Sequence, residues 1–176
     1  MTKYYAGIGS RETPLEELGG MRTLASMLEQ LGYVLRSGGA KGADKAFESG
    51  VQDPRNKQIF RPKHTPLPEA LEIASQYHPA WRQCSSFAKS CHARNVQQVL
   101  GARLDEPAEF VLCWTPGGAA VGGTATAILV ARQEKICVHN FAHKEHLTGL
   151  MDVLREMLLD EKKKEKVLQQ RIEAMV

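Results

Sequence analysis

What this sequence lacks narrows it first. No apolar run approaches the ~18 residues that a membrane helix requires. The opening Met-Thr-Lys-Tyr-Tyr-Ala-Gly carries no hydrophobic signal-peptide core, so the expected location is the cytoplasm, with no membrane partner. The four cysteines, Cys84, Cys91, Cys113 and Cys137, form no Cys-x-x-Cys pair. In a reducing compartment they stay thiols. Cys113 and Cys137 sit inside apolar runs and read as small buried hydrophobes. Cys84 and the Cys91-His92 pair share a helical face, yet no further ligand stands at a zinc-like spacing. No metal and no cofactor are therefore expected. The six histidines form no catalytic spacing. Neither a Walker A loop nor a Gly-x-Gly-x-x-Gly fingerprint occurs.

What is present fits one globular domain over 1–176. The chain has 176 residues, of which 43% are hydrophobic and 24% charged, enough for a core without disulfides. The net charge of +3 is unevenly spread. Between Pro54 and Leu104 stand Arg55, Lys57, Arg61, Lys63, Arg82, Lys89, Arg94 and Arg103 against only Glu69 and Glu72. Such a basic stretch attracts nucleotides or nucleic acid, or simply solvates helix surfaces.

Short apolar runs at 4–9, 33–36, 58–60, 109–114 and 136–139 read as strands. Helical spacing follows Thr13-Pro14, where Thr13 reads as an N-cap, and recurs over 42–50, 68–77, 85–100 and 124–133. In the helix over 85–100 the apolar positions are Phe87, Cys91, Val96, Val99 and Leu100. A charged C-terminal helix covers 143–176. Alternation of strands and helices implies right-handed βαβ units. The expected fold is α/β, a Rossmann-like three-layer domain with a mostly parallel sheet.

Ligands of such sheets bind at the carboxyl ends of the strands. Three strand ends here carry glycine-rich or polar loops: Gly7 to Thr13, Ser37 to Asp44, and Thr115 to Thr124. Glycines let backbone N–H groups approach an anion, and the following helix dipole favours negative charge. Gly9, Ser10, Ser37, Gly38, Gly39, Pro116, Gly117, Gly118, Gly122 and Gly123 supply that backbone. Lys41 and Arg11 add charge, and Thr124 caps its helix or touches phosphate. Asp44 caps its own helix or joins the ligand set. Arg94-Asn95 reaches the site from a rigid helix, and Trp114 closes a strand where it can stack a base, whereas Trp81 reads as packing. Glu12 and Glu48 are the acids nearest the loops and the candidates for catalysis.

Tyr5-Ala6-Gly7-Ile8-Gly9-Ser10-Arg11, Ser37-Gly38-Gly39-Ala40-Lys41-Gly42-Ala43-Asp44, Arg94-Asn95 and Gly122-Gly123-Thr124 together resemble the SLOG superfamily of Rossmann-like proteins. Within it they are similar to small DprA-like proteins (DNA-processing protein A, a recombination mediator), many of them in phages, and more distantly to the LONELY GUY phosphoribohydrolases. The resemblance covers about Tyr4 to Asn140. It implies a nucleotide or nucleotide-derived ligand at the strand-end loops, a homo-oligomer, and two alternatives. One is single-stranded DNA binding as a DprA-like mediator; the other is nucleotide N-glycosidase or phosphoribohydrolase activity. The phosphoribohydrolase pattern Pro-Gly-Gly-x-Gly-Thr-x-x-Glu is interrupted by an insertion, and its glutamate falls on Ala127. An alanine offers no acid–base function.

Overall fold

The computed structural model describes residues 2–173. Met1 and the last three residues of the expected C-terminal helix, 174–176, lie outside the described residues. Five strands, β1 (Lys3–Gly7), β2 (Tyr33–Ser37), β3 (Lys57–Ile59), β4 (Phe110–Cys113) and β5 (Cys137–Asn140), form one sheet in the order β3-β2-β1-β4-β5. Every pairing is parallel, with Tyr5 opposite both Leu35 and Phe110. Parallel neighbours need crossovers, and five helices supply them: α1 (Leu15–Gln30), α2 (Ala43–Gly50), α3 (Pro68–Tyr77), α4 (Ser86–Leu100) and α5 (Ala125–Gln133); α6 (Lys144–Glu173) follows the last strand.

The two-residue period of the strands divides the core. Ala6, Ile8, Val111 and Cys113 pack with Ala70, Ala93, Val96 and Ile128 of α3, α4 and α5. Tyr5, Leu35 and Leu112 pack with Met21, Leu24 and Phe47 of α1 and α2 and with Leu154 of α6. Each fully buried Leu or Phe contributes about 1.5–3 kcal/mol. The three-layer α/β architecture matches the sequence expectation, and the sheet is wholly parallel.

Arg36 breaks the apolar rule. Its neighbour Leu35 faces one layer, so Arg36 faces the other, fully buried. Its guanidinium lies 3.7 Å from the centroid of the Tyr4 ring. Nε donates to Gln58 Oε1 at 2.9 Å, and Nη1 donates to the Glu106 carbonyl. Nη2 stands 3.6 Å from the Glu106 carboxylate, which is itself 58% exposed. A buried cation is tolerated only when held in this way.

Three expectations need correction. Thr13 does not cap α1: its hydroxyl donates to the Ser10 carbonyl, and Pro14 precedes the helix. Phe87 is 72% exposed, because nine residues from Val96 it lies on the opposite side of α4, with Cys91 and Arg94. Cys137 is exposed, since β5 is an edge strand, whereas Cys113 on β4 is buried. In α6, Leu147, Leu150, Met151 and Leu158 pack against the α1 side of the core, but Leu159, Val167 and Leu168 are exposed. No helix among the described residues is long and apolar enough to cross a membrane.

Candidate functional site

Chain order runs outward from β1 to β2 and β3 on one side, and to β4 and β5 on the other. The reversal opens a crevice beyond the ends of β1 and β4, the place where ligands of such sheets bind. A cleft of about 620 Å³ lies there, between the loop after β1, the loop before α5 and one face of α4. That size is within the range of small-molecule sites.

Asp44 organises its wall. The carboxylate accepts from the backbone N–H of Gly9 at 3.1 Å, of Gly38 at 3.1 Å and of Ala40 at 3.4 Å. It therefore joins the first two glycine loops instead of capping its own helix. Burial pushes its carboxyl up to about 6, against the pull of Arg94 and the three N–H groups. The loops also touch directly. Ala43 N–H donates to the Ser10 carbonyl at 3.3 Å, and Gly42, at φ +80°, would place a Cβ 2.5 Å from that oxygen. Only glycine fits there.

Arg94 and Gln98, one turn apart on α4, line the cleft. Arg94 Nη1 donates to the Gly38 carbonyl at 3.1 Å and Nη2 to Asn95 Oδ1 at 3.0 Å, which fixes the guanidinium. Its Nε is buried without a partner among the described residues. Gln98 is 1% exposed, and neither amide atom has a partner among the described residues. Asn95 donates from Nδ2 to the Gly123 carbonyl, so α4 also holds the third glycine loop. Thr124 lines the cleft and makes no side-chain capping bond to α5. Arg11 and Glu12 stand exposed at the rim.

The cleft thus brings together Gly9, Ser10, Arg11, Glu12, Asp44, Arg94 and Asn95, and with them Pro116, Gly122, Gly123 and Thr124. Other expected residues stand outside its lining. Ser37 is buried behind it, its hydroxyl 3.4 Å from the Asp44 carbonyl. Gly38 backs Arg94, and Gly39 lies against Arg61 and Ile59. Lys41 is exposed, Gly117 is not part of the lining, and Gly118 lies against His143. Glu48 is buried on α2 and pairs with Lys45 at 3.0 Å, so of the two catalytic candidates only Glu12 borders the cleft. Trp114 packs in the core on the α1 side and does not line the cleft. Ala127, at the phosphoribohydrolase glutamate position, is fully buried.

Sequence reasoning missed Gln98, which looks like any polar residue of a helix; its four-residue spacing from Arg94 was the available signal. It also missed Phe87 and Val121, exposed apolar residues of the lining. The one candidate metal cluster among the described residues is His78, Cys84 and His92, whose donor atoms all lie within 4.8 Å of one another. Cys84 lies before α4, at the end of the turn over Trp81–Gln83, and not on the helical face expected from the sequence; that turn brings it to His78 on the other side. Cys91 is not part of that cluster, although it lines the cleft together with His92. No family model, no curated protein and no solved structure matches this chain, so its likeness to SLOG proteins rests on the motifs quoted above.

Proposed function

We propose that this protein binds a nucleotide or nucleotide-derived ligand in the cleft beyond β1 and β4. The observation that carries the reading is the pair of cleft-lining residues on α4, Arg94 and Gln98, whose Nε and side-chain amide are buried without a partner among the described residues. An unmade bond of a buried polar group costs about 1–3 kcal/mol. A ligand with an anionic oxygen and a polar edge recovers that cost. A nucleotide has both: phosphate for Arg94, Arg11 and the N–H groups before α5, and a base edge that matches the donor and acceptor of Gln98. Glu12, at the rim, is placed to accept from a sugar hydroxyl.

Isothermal calorimetry with nucleoside 5′-mono-, di- and triphosphates tests this, alongside native mass spectrometry of the purified protein. One site per chain for at least one of them supports the reading. Absence of binding by all of them, with no nucleotide-like mass retained, rejects it.

The second reading, single-stranded DNA bound in the manner of a recombination mediator, draws on the rim. Pro62 brings the exposed Arg61 and Lys63 beside the cleft, and exposed Phe87 offers a stacking face. Phosphate neutralisation makes such binding salt-steep. Fluorescence anisotropy with a labelled single strand checks it: binding that falls steeply between low and moderate salt favours this reading, and none at low salt removes it.

A further inference from the structure

We infer that His78, Cys84 and His92 form a binding site for one zinc-class divalent cation. Two imidazoles and a thiolate are a donor set that suits zinc. The geometry is close to what the ion requires. Zinc–nitrogen and zinc–sulfur bonds of about 2.05 and 2.3 Å at the tetrahedral angle separate the two donors by about 3.6 Å. Cys84 Sγ lies 3.5 Å from His78 Nδ1. The His78 and His92 rings are 4.5 Å apart between centroids, edge to face, so both offer nitrogens to the same small volume.

The surroundings hold the donors in place. His92 Nδ1 lies 2.7 Å from Thr126 Oγ1 on α5. With Nδ1–H donating to that hydroxyl, the Nε2 lone pair is free for a metal, the arrangement by which outer hydrogen bonds orient ligating imidazoles. Trp81 packs beside both rings, 6.4 Å from His78 and 6.1 Å from His92, which restricts water on that side. Three protein donors leave a tetrahedral ion one position for solvent or for a donor atom of whatever fills the cleft, since His92 is also part of the cleft lining. The site does not depend on the nucleotide reading.

The test uses the full chain, reduced and stripped with a chelator, then titrated with cobalt(II) as a coloured substitute for zinc. The expected result is one equivalent per chain, a thiolate-to-cobalt charge-transfer band, and its loss when zinc is added. Cys84→Ser removes that band, whereas Cys137→Ser, which breaks an exposed Cys-His pair 3.4 Å apart, keeps it. Thr126→Val keeps the band but weakens zinc binding 10–100-fold, in line with the usual effect of an outer-sphere partner. Should circular dichroism show Cys84→Ser unfolded, the same comparison is made with His78→Ala and with the zinc-induced rise in wild-type Tm. Absence of both the cobalt band and the Tm rise in the wild type overturns the proposal. So does a band that survives Cys84→Ser or disappears in Cys137→Ser.

Discussion

The backbone N–H of Gly9 donates to Asp44 Oδ1 at 3.1 Å across 35 residues of chain. Because Gly38 and Ala40 donate to the same carboxylate, one side chain keeps two strand-end loops in register. Asp44→Ala strands three backbone donors, that of Gly38 buried and those of Gly9 and Ala40 partly buried. The expected loss of stability is about 3 kcal/mol or more, since each orphaned group costs about 1–3 kcal/mol. Urea unfolding should show the midpoint lowered at unchanged m-value.

The same carboxyl makes stability depend on pH. Burial raises it from 3.8 to about 6, so the folded protein holds this proton more tightly than the unfolded chain does. Stability then falls wherever the native state binds more protons than the unfolded state. The Asp44 contribution is full below about pH 4, declines as pH rises toward about 6, and is flat above that. The span corresponds to about 3 kcal/mol. The difference in unfolding free energy between wild type and Asp44→Asn should trace this decline; a difference independent of pH between those values contradicts it.

Gln98→Leu should separate stability from binding. An unsatisfied buried amide is replaced by an apolar side chain of similar size, which is neutral or stabilising by about 1 kcal/mol. Affinity for a bound nucleoside phosphate should fall about 10-fold or more. Thermal unfolding and calorimetry on one preparation read both effects, and a variant that binds as tightly as wild type shows that the amide is not a ligand contact.

Arg94 should tolerate no substitute. Arg94→Lys keeps the charge but loses the fork that spans the Gly38 carbonyl and Asn95. Both Arg94→Lys and Arg94→Ala are expected to weaken nucleoside phosphate binding about 10–100-fold, the worth of about 1.5–3 kcal/mol in a charge-assisted bond. Calorimetry that ranks Arg94→Lys with wild type would show that charge alone suffices.

Glycosidic cleavage should be negligible. Ala127, where the resemblance to phosphoribohydrolases would put a glutamate, is buried, and the acids lining the cleft are Glu12 and Asp44, the latter engaged with three N–H groups. General acid–base help worth roughly 10²–10⁴-fold then has no dedicated donor. Chromatography of nucleoside monophosphates incubated with the protein should show no free base above buffer. Steady release abolished by Glu12→Gln would reverse this expectation.

Element order and a mostly parallel sheet followed from apolar runs alternating with helical spacing, because burial on both faces imposes that pattern on the chain; that every pairing is parallel came from the structure. The loops after β1 and before α5 were legible for a similar reason: glycines mark turns that approach other groups closely. What stayed hidden depends on contacts between distant segments. Lys41 reads like a phosphate ligand beside Gly42, but the Asp44 tie turns its loop so that Lys41 faces solvent. Phe87 stands half a turn from Val96 on α4 and in phase with Arg94 and Gln98, so it belongs to the cleft side of the helix, and its apolar character alone did not reveal that side. His78 lies on the far side of a turn from Cys84, so no fixed spacing announces their meeting.

The central strand has a consequence in time. Tyr5 on β1 pairs with Phe110 on β4, 105 residues later in the chain. At the ~5–20 residues per second of synthesis, β1 emerges roughly 5–20 seconds before its second neighbour exists. During that interval one edge of the future sheet centre has nothing to bond. Non-local pairing of this kind slows folding, and it makes the nascent chain, not the finished molecule, the stage most exposed to aggregation and to chaperone capture.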